Sequence, residues 1–161
     1  MSGPNIERPE FDDDREAPGF TRQRARIGRQ AGTEKIGLSL FEVLPGEAAY
    51  PYHWHFGEEE LLIVLAGTPS LRTPAGWRDL EQGEVVSFLV GEDGAHQIAN
   101  RTREPVRFLA FSNQVHDIVV YPDSDKVGTF ERRPEGGGLF ALFRREDSVD
   151  YLEGEEPPST P

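Results

Sequence analysis

Three histidines and one carboxylate are the residues of this chain whose spacing suits chemistry. Within residues 46–67, His53 and His55 are separated by a single residue. Side chains alternate between the faces of an extended strand, so both imidazoles project one way while Trp54 and Phe56 take the other face. After a turn at Gly57, a run of acids leads into Leu61-Leu62-Ile63-Val64-Leu65. That run is too apolar and β-branched for a solvated loop and reads as a buried strand with a carboxylate at its mouth. Two neutral nitrogens and a carboxylate from adjacent strands make a facial site for a divalent transition metal, with positions left for water or substrate. His96 is the candidate third imidazole. It follows a strand-like segment, residues 83–89, and a turn at Gly91-Glu92-Asp93-Gly94.

These two segments resemble the two motifs of the cupin superfamily. The first motif is Gly, then His-x-His, four residues, Glu, six residues, Gly. Gly46, His53, His55, Glu60 and Gly67 match it, with six rather than five residues before His53. The second is matched by Gly83, Gly91, His96 and Asn100, with Leu89 where the family usually has Pro and two extra residues between Gly91 and His96. The resemblance spans residues 36–113, one barrel, and its first motif is the more specific. It implies a single-domain jelly-roll β-barrel in which His53, His55, Glu60 and His96 hold one divalent transition metal (Fe, Mn, Ni, Co or Zn). Counting to Gly67 selects Glu60 as the ligand and leaves Glu59 as an outward acid or a nearby base; a bulge would exchange the two. Against the metal reading stands the ordinary one, in which a strand histidine is structural and the barrel carries no ion. His116, followed by Asp117, reads as a surface histidine outside the site.

Composition narrows the remaining choices. With 161 residues the chain suits one domain, and its thirteen prolines and seventeen glycines favour many turns and an all-β architecture. A net charge of −12 works against nucleic acid as a partner, since phosphate backbones need a basic surface. No cysteine is present, so a resident metal must be held by nitrogen and oxygen. The N-terminus lacks the apolar stretch of a signal peptide and no run is long enough to span a bilayer, so a cytoplasmic protein without membrane attachment is expected.

Along the chain, residues 1–18 are acidic, with Asp12-Asp13-Asp14 in a row, and are expected to be a disordered arm. Residues 19–35 form a basic strand or arm in which Arg22, Arg24 and Arg26 repeat every second position, opposite Ala25 and Ile27. An anionic ligand or partner would suit that face; an edge strand blunted by charge, or pairing with the acidic tail, is the plainer reading. Residues 36–113 carry strands of regular length separated by Gly and Pro, which fits a jelly roll. Alternation from Glu60 places Leu62 and Val64 toward the cavity, with Val106 and Phe108 as candidate lining opposite Arg107. Plain core packing explains each of these four equally well. Residues 115–121 read as one more strand, and Leu139-Phe140-Ala141-Leu142-Phe143 is apolar enough to require packing on the barrel or a second subunit. The 114–152 extension therefore suggests a homodimer, and residues 153–161 an acidic, disordered tail. Gly136-Gly137-Gly138 lacks the Lys and helix of a phosphate loop.

Three imidazoles and one carboxylate leave two positions open on an octahedral ion. The expected function is a metal-dependent enzyme acting on a small oxygenated organic molecule, of dioxygenase, isomerase or lyase type. A metal-containing binding module without catalysis, or a metal-free structural barrel, is the alternative.

Overall fold

The computed structural model describes residues 3–132 and 138–158; Gly136 and Gly137 of the triple-glycine run lie outside them, as do residues 159–161 of the acidic tail. Its strands are β1 (Arg22–Ala25), β2 (Gly37–Val43), β3 (Trp54–His55), β4 (Glu60–Ala66), β5 (Ser70–Thr73), β6 (Gly76–Asp79), β7 (Val85–Phe88), β8 (Gln97–Ala99), β9 (Val106–Ser112), β10 (Asp117–Tyr121), β11 (Lys126–Phe130) and β12 (Phe140–Arg144). One short helix, α1 (Ile27–Ala31), follows β1. The sheets run β1-β2-β9-β4-β7, β12-β11-β10-β3 and β6-β5-β8, and the strand pairs are antiparallel. This all-β arrangement is a jelly-roll barrel.

The five-stranded sheet is covered on both faces, which is why β4 reads as a continuous apolar run rather than an alternating one. Its inner face supplies Phe41, Val43, Leu62, Val64, Val106 and Phe108 to the barrel core, together with Leu71, Leu80, Phe88 and Ile98. Its outer face supplies Leu40, Leu109, Ile63 and Leu65 to a second cluster, closed by Ala25, Ile27, Ile6 and Phe11. The N-terminal arm, whose composition reads as disordered, is therefore laid down on the sheet. Ile6 and Phe11 supply the apolar area, the amides of Asp12 and Asp13 each donate to the Arg24 carbonyl at 3.1 Å, and Arg15 bridges Arg22. Residues 149–158 form no strand and are exposed.

Motif glycines and the motif asparagine turn out to shape loops. Gly67 has φ +75°, and a Cβ there would lie 2.9 Å from the Val106 side chain and 3.0 Å from the Pro105 carbonyl. Asn100 is 1% exposed; its Nδ2 donates to the carbonyls of Val43 and Glu104, and its Oδ1 accepts from Thr102. It clamps the turn into β9. The residues inserted before His96 form a single 3₁₀ turn, Glu92–Gly94, seated so closely under Leu89 that a Cβ on Gly94 would meet the Leu89 carbonyl. Gly91 N–H donates to the His55 carbonyl at 2.8 Å, so the turn is anchored to the strand that carries the histidines.

Candidate metal centre

His53 and His96 come from opposite motifs but are tied directly together: the two residues exchange backbone hydrogen bonds of 3.1 and 2.9 Å as an antiparallel bridge. That exchange absorbs the two-residue insertion and keeps His96 facing His53 across the barrel mouth, with ring centroids 4.7 Å apart. His55, one alternation further along, has its ring 4.8 Å from His53. Glu60 opens β4, and its Oε2 lies 3.4 Å from His55 Nε2 and 3.1 Å from His96 Nε2. Ligand atoms of His53, Glu60 and His96 all fall within 4.8 Å of one another. His53, Glu60 and His96 thus converge, and His55 reaches them through Glu60 while its other nitrogen groups with Glu58 and Asp117.

The far side of each imidazole fixes its tautomer. His53 Nδ1 lies 2.9 Å from the Pro51 carbonyl, and His96 Nδ1 lies 3.0 Å from the Gly94 carbonyl. A carbonyl only accepts, so each Nδ1 carries the proton and each Nε2 presents a lone pair. His55 Nδ1 lies 2.5 Å from Asp117 Oδ2, and the other Asp117 oxygen accepts from Gly57 N–H at 2.7 Å. His55 Nε2 and His96 Nε2 are buried with no hydrogen-bond partner. Buried nitrogens left unpaired cost free energy, and anchored Nδ1 atoms behind inward Nε2 lone pairs are the arrangement that orients imidazoles toward a metal.

Electrostatics point the same way. Burial pushes His53 down to about 3, helped by His96 and His55 beside it. At His55 burial also pushes down, but Asp117 and Glu60 together outweigh it and hold the imidazole up at about 9. Burial would raise Glu60, yet the adjacent His55 and His96 imidazoles hold it well below the ordinary carboxylate range. Asp117 at Nδ1 and Glu60 at Nε2 therefore balance a positive charge on the His55 ring, and Glu60 leaves a negative charge for a divalent cation on the Nε2 side. The residues present fit such an ion.

Asp117 went unnoticed as a site residue in the sequence, where it stood only as the neighbour of a surface histidine. It arrives because β10 pairs with β3, with Val119 opposite His55 and Val120 opposite Trp54. The segment expected to pack on the barrel as an extension thus contributes a strand beside the histidines. His116 itself accepts from Arg132 N–H at 3.2 Å. Glu58 is the second unanticipated group: 2% exposed, it lies 4.0 Å from His55 Nδ1 and 3.0 Å from the Arg132 guanidinium, and burial raises its pKa. Glu59, the candidate base, points outward and is exposed, with its backbone N–H on Asn113 Oδ1. The strand begins at Glu60, so the acid one residue before it takes the solvent side and the acid two before it turns inward.

Around the donors the walls are aromatic. Phe88 stacks on His96 at 3.7 Å and 8°, Tyr50 meets His53 and His96 edge-on at 5.1 and 5.6 Å, and Tyr121 lies 6.0 Å from His53. Burial, then Glu60, raises Tyr50 well above the ordinary phenol range, so its hydroxyl stays protonated. Leu62, Val64, Val106 and Phe108 are at most 1% exposed and pack against one another as the barrel core, so they form the floor beneath the site rather than an open wall. The Glu60 side chain, 20% exposed against 1% for His96, is where solvent reaches the cluster. A groove of about 770 Å³ lined by Tyr52, Trp54, Phe56, Ile118, Val120 and Val127 lies on the opposite face of the β3-β10 sheet, away from the imidazoles.

Residues 39–112 match the family model for the cupin domain. That match runs from β2 to β9, so the barrel carries the cupin domain and its fold. Among solved structures, a protein of Acidithiobacillus ferrooxidans, assigned provisionally as a sugar phosphate isomerase, is 27% identical with TM-score 0.73, over 83% of this chain and 82% of its own. A cupin-superfamily sugar phosphate isomerase from Silicibacter pomeroyi is 23% identical with TM-score 0.77, over 94% of this chain and 98% of its own, and shares the fold. So does the polyketide cyclase RemF of Streptomyces resistomycificus, at 23% identity and TM-score 0.58, over 70% of this chain and 78% of its own. No curated protein sequence matches the cupin. No helix among the described residues is long and apolar enough to cross a membrane.

Asp117→Asn tests how far the cupin's imidazoles depend on their supporting partner. The amide keeps the shape but loses the charge that orients and polarises His55. Affinity for a transition ion such as Zn(II), read by competition with a chromophoric chelator, is expected to fall about 10- to 100-fold while the circular-dichroism spectrum is retained. An unchanged affinity would show that His55 needs no carboxylate behind it.

Proposed function

We propose that this cupin is a metal-dependent enzyme that acts on a small oxygenated molecule, with isomerisation as the favoured reaction. The observation that carries the reading is the set of imidazole Nε2 atoms converging on Glu60 while every Nδ1 is anchored behind them. His53, His55, Glu60 and His96 would hold the ion. When bound there, a divalent metal supplies a Lewis acid for a carbonyl or hydroxyl oxygen and lowers the pKa of water. The protein's own groups do the rest. Tyr50 offers a neutral hydroxyl beside the cluster, Phe88 and Tyr50 exclude water from its rear, and the opening at Glu60 admits the ligand from one side. The likeness to the Acidithiobacillus protein supports isomerisation over oxidation.

Incubating the metal-loaded protein with free and phosphorylated aldoses and ketoses, and following their interconversion by NMR, tests this reading. Turnover in the parent that disappears in Glu60→Gln is the expected result. Tight ligand binding without conversion would instead favour a binding module.

We further propose a homodimer. The groove over Trp54, Ile118 and Val120 continues across Val127 to the exposed Phe143 on the same face of the four-stranded sheet, which leaves apolar surface there. A second copy would cover it. Sedimentation at micromolar concentration should give a dimer that Ile118→Asp dissociates; a monomeric parent rejects the proposal.

A further inference from the structure

The basic segment of the chain faces the wrong way for a merely solvated edge. In the β1-β2 register Arg22 lies opposite Val43 and Arg24 opposite Phe41, and Val43 and Phe41 belong to the barrel core. Both guanidinium carbons sit 5.4 Å from the Phe41 ring centroid. Two cations are thus turned toward the apolar interior, where a charge without full compensation is destabilising. The Arg22 side chain is only 4% exposed, yet its Nε has no hydrogen-bond partner.

A single carboxylate serves both. Asp13 Oδ2 lies 3.2 Å from Arg24 Nη1 and 3.6 Å from Arg22 Nη2, and the Asp13 carbonyl accepts from Arg22 Nη1. Arg24 Nε donates to Ser39 Oγ at 3.0 Å, which turns its fork along the inner face. Arg132 is close enough to Arg24, and Arg15 to Arg22 and Tyr121, to act on them electrostatically. In a chain of net charge −12 this is a local reversal of sign. Burial lowers the pKa of both Arg22 and Arg24, as expected of cations short of counter-charge.

Sheet geometry relates this patch to the histidines. Ser39 pairs with Ala110 and Ala110 with Leu62, and Glu60 is two residues from Leu62 on the same face. The Arg24 fork beside Ser39 is therefore two strand spacings across and two residues along from Glu60, about 12 Å over the inner face of the sheet. A short phosphate ester reaching from one end to the other spans that gap.

We propose that Arg22 and Arg24 receive the phosphate group of a small phosphorylated substrate, and that Asp13 of the N-terminal arm occupies this place until the ligand displaces it. The proposal rests on reading the histidine cluster as the reacting end. Planar guanidinium forks match phosphate oxygens in pairs, and Asp13 presents to them one carboxylate of the same acceptor chemistry. The arm then acts as a tethered competitor whose release opens the mouth.

The test is calorimetric titration of the full-length chain with inorganic phosphate, as isolated and after dialysis against a chelator, with metal content measured on the same samples. Asp13→Asn is expected to bind phosphate about tenfold more tightly than the parent, since loss of one opposing charge contact is worth on the order of one decade. Arg24→Gln should lose that binding and Arg24→Lys should retain part of it. Binding should survive the chelator. Equal affinities in the parent and Asp13→Asn, or phosphate binding that leaves with the metal, would overturn the proposal. A parent with bound metal but no arginine-dependent phosphate binding rejects this inference alone, whereas a parent that holds no metal as isolated or after reloading, yet binds phosphate through Arg24, rejects the reading of the histidine cluster.

Discussion

In His53→Ala/His55→Ala, bound transition metal is expected to fall from about one equivalent per chain to below a tenth, because two of four ligands are removed from one facial set. The parent should be measured after expression without an affinity tag that carries metal. Binding to the folded chain alone also stabilises it: an ion at one hundred times its dissociation constant adds about 2.7 kcal/mol. The parent should therefore melt at higher temperature when the ion is added back, and the double variant should not respond. His53 and His55 are both buried beside Tyr50 and Asp117, so the variant is expected to remain folded but less stable. Loss of metal together with loss of the native circular-dichroism spectrum would not count; Glu60→Gln, which preserves volume, then supplies the comparison. A parent that takes up no ion even after reloading would return the barrel to a purely structural role.

The second large effect concerns the floor of the site. Phe108 is fully buried and stacks on Phe41 at 5.0 Å and 14°, with Val64 opposite it in the neighbouring strand. Phe108→Ala removes an aromatic ring from a core that cannot fill the space, because β9 is paired on both sides, with β2 from Gly37 to Val43 and with β4 from Glu60 to Val64 before the ladder shifts register. The expected loss is about 3–5 kcal/mol, read from the urea midpoint at unchanged slope. Phe41 also lies against Arg22, Arg24 and Tyr50, so the cavity should loosen the barrel mouth as well as the core. A loss under about 1 kcal/mol would mean that the interior repacks freely, and the description of these side chains as a closed floor would fail.

Much of the architecture was readable because its cues are local. Pro45-Gly46, Gly67 and Gly83 punctuate strands whose lengths fit a jelly roll, and the fully apolar β4 betrays a strand covered on both sides. Alternation brings His53 and His55 to one face, and Glu60 opens the next long strand. The N-terminal arm was harder to read. Its acidic composition argues for disorder, but Asp12 and Asp13 have partners in Arg22, Arg24 and Arg26, and Ile6 and Phe11 have a sheet to cover. Composition counts charge without knowing what lies opposite.

By itself the sequence determined the strand pattern, the family resemblance and which four side chains carry donors at a spacing a metal would use, because period two and motif spacing act over a few residues. Only the tertiary structure decided what stands behind and across from those donors. Asp117 reaches His55 from 62 positions away through the β3-β10 pairing, and Glu58 rather than Glu59 turns inward at the start of β4. Arg22 and Arg24 face the barrel rather than the solvent because the register with β2 places them on the side of Phe41 and Val43. Strand pairing and register are non-local: shifting either by one residue exchanges the two faces without changing a letter of the sequence.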